Sequence, residues 1–337
     1  MLARVFHRWE RRLANASTER VVRPFDWGVA WLDDPATQVA DDPRAALLSW
    51  GERTTRESDA FYAVTPADDY ALEGGLLTFS SAVRTPHAEN NVVRARFFPD
   101  GSPRGRARAV LVLPQWNADR EGHVGLCRLL NRFGITALRL SLPYHDDRMP
   151  PELTRADYIV SSNVGRTAQV CRQAVLDAKR AIAWLYARGY ASIGVLGTSL
   201  GSCLSMLTAA HEPLVRAAAL NHVSPYFADV VWHGLSTAHV RRGLDGHVDL
   251  EELRRMWLPI SPWPFIARMR DRGVLLVYAR YDLTFPVELS RKLVTEFERL
   301  GVAHEVAVLP CGHYSTGVTP FKWWDGLTLC RFLSRAL

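Results

Sequence analysis

The stretch SIGVLGTSLGSCLSMLTAA, residues 192–210, decides the fold. Its first six residues are small or apolar, as in a strand buried on both faces, and Ser202–Ala210 is compatible with a helix. Between the two stands Gly197-Thr198-Ser199-Leu200-Gly201. A serine on so tight a strand-to-helix turn adopts a strained backbone, and side chains two positions to either side would collide with it, so both positions call for glycine. The hydroxyl is then presented at a helix N-terminus, where the dipole and free N–H groups favour a developing anion. A bare G-x-S-x-G also occurs as a structural accident; here the flanking strand and helix give it a context.

Outward from this turn the chain alternates short apolar strands with longer helical segments, the pattern of a mostly parallel α/β sheet with helices on both faces. Two antiparallel strands are expected first, at 75–83 and 92–99, followed by strands at 108–113, 135–140, 192–197, 216–221, 273–279 and 304–309. A helix is expected over 163–188, with Val170, Ala174, Ala178, Ile182 and Leu185 at helical spacing and Gly189 to end it. Between 224 and 268 the rhythm breaks into an aromatic stretch holding Tyr226, Phe227, Trp232, Trp257, Trp263 and Phe265. Excursions between parallel strands lie over their carboxyl ends, where ligands bind, so 224–268 reads as a lid. The competing reading is that these aromatics pack on the N-terminal part of the chain. The expected organisation is an N-terminal extension, 1–74, laid on a main domain, 75–337, that carries the lid.

Two residues downstream complete a chemical set. Asp282 follows the apolar strand 273–279 within Tyr281-Asp282-Leu283-Thr284-Phe285-Pro286. A carboxylate there accepts one imidazole N–H, fixing the tautomer and stabilising the imidazolium; its other use would be a turn or helix cap. His313 lies in Pro310-Cys311-Gly312-His313-Tyr314, directly after the last strand. Imidazole titrates near neutrality, so it can take a proton from Ser199 and return it to a leaving group, whereas a bland reading makes it a solvated loop residue. Serine, acid and histidine come in the chain order that this kind of turn requires.

Gly197 to Gly201, Tyr281-Asp282 to Pro286 and Gly312-His313 together resemble the α/β-hydrolase superfamily over residues 75–337. The resemblance implies an α/β-hydrolase fold, a triad of Ser199, Asp282 and His313, and an oxyanion hole formed by the backbone N–H of Leu200 and one from the loop after strand 108–113. That loop reads Leu113-Pro114-Gln115-Trp116-Asn117, lacking the His-Gly of many family members; aligned strand ends put Trp116 at the donor position, with Gln115 second. The next loop, Leu142-Pro143-Tyr144-His145-Asp146-Asp147, is bulkier than the family's usual turn, so Tyr144 is expected to shape the substrate site, with Gln115 and the lid residue Trp232.

Composition bounds the rest. The 337 residues carry a formal charge of +6, yet Lys179, Lys292 and Lys322 are the only lysines among 41 basic residues, and the arginines are scattered among acids with no basic stripe or reader motif. Nucleic acid is therefore not an expected partner. Cys127, Cys171, Cys203, Cys311 and Cys330 are odd in number and lack metal-ligand spacing, and His145, Asp146 and Asp147 are adjacent in a way that rarely converges on one ion, so neither disulfides nor a metal is expected. Residues 1–10 contain no apolar signal region, which reads as cytoplasmic. Leu2, Val5, Phe6, Trp9 and Leu13 fall near one side of a first helix, a face that would pack on the domain or, as the rarer solution, touch a membrane. The expectation is a cofactor-free serine esterase acting on a small-molecule ester through an acyl-enzyme. An acyltransferase, an amide hydrolase and a non-catalytic binding protein of the same fold are the rivals. Oligomeric state is not readable from the sequence.

Overall fold

Strands buried on both faces need apolar residues at every position rather than every second one, and the middle of the sheet is built that way. The computed structural model describes residues 2–16, 19–103 and 107–337. Among them one sheet is formed by β1 (Ala71–Glu73), β2 (Leu76–Ser80), β3 (Val92–Phe98), β4 (Arg108–Leu113), β5 (Thr136–Leu140), β6 (Ser192–Thr198), β7 (Val215–Asn221), β8 (Gly273–Ala279) and β9 (Glu305–Leu309). Their spatial order is β1-β2-β3-β5-β4-β6-β7-β8-β9. The first three form an antiparallel edge that joins β5 antiparallel, and β4 to β9 pair in parallel.

Alternate residues of each central strand feed opposite cores. In β4, Ala109, Leu111 and Leu113 pack into one apolar cluster and Val110 and Val112 into the other, all fully buried. Each buried leucine or valine among them contributes roughly 1.5–3 kcal/mol relative to exposure. One face is covered by the helix Val164–Ala187, which Asn163 caps by accepting the Arg166 N–H at 2.9 Å and which ends before Gly189 at φ 91°. The other is covered by the helices Val124–Arg132 and Phe321–Ala336, whose Cys127, Leu130, Leu329 and Leu333 lie in the second cluster.

The expected strands match the observed ones within a few residues, and 108–113 and 273–279 coincide at both ends. The three-residue edge strand β1 is the addition. It is short and exposed at both ends, as suits a sheet edge, and it turns into β2 through Gly74 and Gly75, both at positive φ.

The chain runs from β4 outward to β5 and then crosses to β6 on the opposite side of β4. In an open α/β sheet a ligand crevice lies at the carboxyl ends of the strands flanking such a reversal, here between β4 and β6. The excursion between β7 and β8 folds as short helices, among them Phe227–His233, Ala238–Leu244 and Leu250–Met256. It is bound on its far side by N-terminal residues. Gly51, in the helix Pro43–Arg56, lies so close to the Arg255 carbonyl that a Cβ would collide with it, and Tyr62 donates to the Pro259 carbonyl at 3.0 Å. Among the described residues no helix is long and apolar enough to cross a membrane.

Candidate active site

At the end of β6, Ser199 has φ 57° and ψ −118°, a strained combination for a residue with a Cβ. Two glycines permit it. A Cβ on Gly197 would run into the Gly201 carbonyl and Ser205, and one on Gly201 into the Leu113 and Pro114 carbonyls, so the start of the helix Leu200–His211 is pressed against the end of β4. Ser199 N–H donates to Asn221 on β7 at 2.8 Å, and Ser202 Oγ ties the Ser199 and His222 carbonyls together at 2.7 Å each. Ser199 is 6% exposed, and among the described residues its hydroxyl has no hydrogen-bond partner.

Asp282 follows β8 and is held by four donors. Its Oδ1 accepts the N–H groups of Thr284 at 2.8 Å and Phe285 at 2.7 Å; its Oδ2 accepts His313 Nδ1–H at 2.9 Å and His222 Nδ1–H at 2.9 Å. Burial alone would raise this carboxyl, but the charge of His313 and the two imidazole donors outweigh it and hold Asp282 well below the ordinary carboxylate range. With Nδ1 committed to the carboxylate, Nε2 is the ring nitrogen of His313 left without a hydrogen bond among the described residues. Phe285 stacks on the His313 ring at 5.3 Å. The nitrogens and oxygen of His222, Asp282 and His313 lie within 4.8 Å of one another, close enough to suggest an ion, but both Nδ1 atoms are used as donors, and a metal would need them deprotonated.

His222 is the member that sequence reasoning missed. It sits at the end of β7 with φ 60° and 1% exposure, a strained and buried position for an imidazole. The only signal was a histidine at the carboxyl end of a central strand. Glu10 is the second omission. It is fully buried on the helix Leu2–Ala14, and its carboxylate accepts the N–H groups of Tyr314 at 2.8 Å and Ser315 at 2.9 Å, the two residues after His313. One turn earlier, Phe6 stacks on Tyr281 at 4.5 Å, beside Asp282. The first helix thus braces the loops that carry Asp282 and His313, while Leu2 and Val5 of its apolar side stay exposed.

Around the expected oxyanion hole, the Asn117 N–H is committed to His145 Nε2 at 3.0 Å, and His145 Nδ1–H donates to the Pro143 carbonyl at 2.9 Å. Burial pushes His145 down to about 4, so it serves as a neutral strut under this loop. Among the described residues the N–H groups of Leu200, Trp116 and Gln115 have no acceptor. The Trp116 indole N–H donates to Ala156 at 2.8 Å, and its ring lies between Arg155 and the parallel ring of His239.

Two spaces meet at Ser199. One is a cavity of about 730 Å³ that also touches Gln115, Trp116, His222 and His313. The other is an apolar pocket of about 40 Å³ walled by Leu200, Phe227, Val230, Val231 and Phe285. The structure brings Ser199, Asp282, His313, Leu200, Trp116 and Gln115 together. It does not bring Tyr144 or Trp232 to either space. Tyr144 is fully buried against His87 and Tyr158, because its N–H and hydroxyl are both taken by core partners, and Trp232 lies under the Arg241 guanidinium at 4.8 Å.

This is the α/β-hydrolase fold. Acetyl xylan esterase from Paenibacillus sp. R4 superposes with a TM-score of 0.62 at 15% identity, covering 97% of this chain and 99% of that one. Acetyl xylan esterase 1 from Thermoanaerobacterium sp. JW/SL YS485 gives 0.60 at 14% identity, covering 97% and 98%. Acylaminoacyl peptidase from Pyrococcus horikoshii gives 0.62 at 13% identity over 81% of this chain, which spans only 42% of the length of that enzyme. No protein-family model and no curated protein matches the sequence.

Proposed function

We propose that the protein is a serine hydrolase that cleaves a carboxylic ester through an acyl-enzyme. The observation that carries this reading is the convergence on one cavity of a strained serine at a helix N-terminus and a histidine whose far nitrogen is bound to a buried carboxylate. His313 Nε2 takes the hydroxyl proton as Ser199 Oγ bonds to the ester carbonyl carbon. The oxyanion is received by the Leu200 N–H and one from Trp116 or Gln115, and the imidazolium returns the proton to the departing alcohol. Water, deprotonated by the same imidazole, then breaks the Ser199 acyl bond and releases the acid. Asp282 stays ionised throughout and orients His313. The alternative thiol nucleophile is disfavoured, since burial pushes Cys203 up to about 12. The named activities of the structural neighbours, on acetyl esters and acylaminoacyl peptides, support acyl transfer to water in this fold and keep amides as a second substrate class.

The test is hydrolysis of p-nitrophenyl acetate together with labelling by a fluorophosphonate probe. Wild type turns over the ester and is labelled; Ser199→Ala, folded by circular dichroism, loses both. Activity retained in Ser199→Ala, or wild type that does neither, overturns the reading.

A further inference from the structure

Resting on that reading, the two spaces at Ser199 differ in size and in charge, and the difference specifies a substrate. The apolar pocket of about 40 Å³ has no charged residue on its wall. That volume accommodates about three water-sized groups, which corresponds to an acyl chain of roughly two to four carbons. Phe227, Val231 and Phe285, each no more than 6% exposed, close it behind Ser199.

The larger cavity is open and cationic. Arg20, Arg155 and Lys322 stand on its wall against one acid, Asp325. Other arginines of this chain are neutralised in pairs, such as Arg139 with Asp146 and Arg148 with Asp177. Among the described residues Arg20 and Lys322 are not matched in this way. Among the described residues Arg20 donates only to neutral oxygens, the Ala14 carbonyl at 2.8 Å and the Tyr314 hydroxyl at 3.1 Å, and its buried Nε has no acceptor. Lys322 is exposed, with its ammonium over the Trp323 ring at 5.8 Å and no carboxylate partner among the described residues. Arg155 shares the single carboxylate of Asp157 with Arg23. Positive charge concentrated in a low-dielectric cleft attracts and holds an anion far better than the same charge spread over a surface.

We propose that the substrate is an ester of a short acyl group with an alcohol that carries an anionic group, a carboxylate or a phosphate, held by Arg20 and Lys322 while the acyl chain occupies the pocket behind Ser199.

The experiment compares kcat/KM for para-acetoxybenzoate, para-acetoxyphenyl phosphate and the neutral methyl para-acetoxybenzoate, and separately for p-nitrophenyl acetate, butyrate and octanoate. Wild type is expected to favour at least one of the anionic esters over the neutral one by about tenfold. Lys322→Gln, an exposed change, lowers that ratio, and Arg20→Gln with Lys322→Gln brings it near one. A general disturbance of the site would lower all rates together and leave the ratio intact, which would count against the proposal. Octanoate is expected to be about tenfold slower than butyrate, and Val230→Ala to narrow that gap. Equal rates on charged and neutral esters, or octanoate as good as acetate, overturn the proposal while Ser199-dependent hydrolysis still stands; no Ser199-dependent hydrolysis of any ester overturns both. Which anionic ester is preferred separates carboxylate from phosphate.

Discussion

The serine turn and the histidine loop face one cavity, yet they are built in opposite ways. Ser199 is fixed by its neighbours in sequence. Gly197 and Gly201 let the chain turn, and Ser202 pins the carbonyl behind it. His313 is fixed from far away. Its loop is held by the Glu10 carboxylate, 304 and 305 residues earlier, by Asp282 after β8, and by the Tyr281 N–H donating to the Cys311 carbonyl at 2.9 Å. A locally encoded element fails when its own residues change, whereas a remotely braced one fails when a distant element does.

The largest expected effect strikes the local half. Gly201→Ala drives a Cβ into the backbone carbonyls of Leu113 and Pro114, which have no side-chain freedom to yield. A loss of about 3–5 kcal/mol in urea unfolding is expected, with activity falling in parallel. A stable, active variant would show that the turn is looser than its geometry.

Acid attacks the same half. His145 is neutral in the folded protein, pushed down to about 4 by burial, but protonates near its ordinary value of 6.5 when unfolded. The unfolded state therefore binds more protons below that value, so this contribution to stability is present above pH 6.5 and is lost as the pH falls to about 4. A shift of this size corresponds to roughly 3 kcal/mol. His123, whose Nε2 meets the Thr198 hydroxyl at 2.9 Å beside the nucleophile, is pushed down to about 4 in the same direction. Thermal unfolding measured from pH 7 to pH 4 should show the fall, and His145→Gln should flatten it.

Glu10 tests the remote half. Glu10→Ala leaves two buried N–H groups without an acceptor, about 2–3 kcal/mol concentrated in the histidine loop. A fall in kcat of about tenfold or more is expected with global unfolding little changed, and Glu10→Gln, which keeps one acceptor oxygen, should recover much of it. If kcat is unmoved while stability drops, the first helix supports the fold and not the loop. The smallest effect is assigned to His222→Asn. Asp282 loses one of its four donors but keeps both backbone amides and His313, so a decrease in kcat of about tenfold or less is expected, with KM unchanged.

The sequence spoke clearly wherever structure is written in consecutive residues. Strands β4 and β8 coincide with their apolar runs because burial on both faces leaves no polar position inside them. The helix Val164–Ala187 was legible from its period and from the glycine beyond its end. The serine turn was legible because collision forces glycine at two fixed offsets. What could not be read depends on residues hundreds of positions apart. Glu10 lies on a helix whose spacing shows an amphipathic face but not what the face meets. His222 reveals nothing until Asp282 is placed beside it. Tyr144 illustrates the converse: a bulky residue in a loop expected to border the site turned inward, because His87, Asn90 and Tyr158 offered it a core.

The bond from Glu10 to Ser315 also sets an order in time. Glu10 is made 305 residues before Ser315, and its acceptor role goes unmet until that later segment has been made. The serine turn, which needs β4, β6, the following helix and Asn221 of β7, can form before the histidine loop has been made, so the locally built half precedes the remotely braced one. A chain cut short before the histidine loop would therefore hold a formed serine turn with nothing set against it, and Glu10 with nothing to accept.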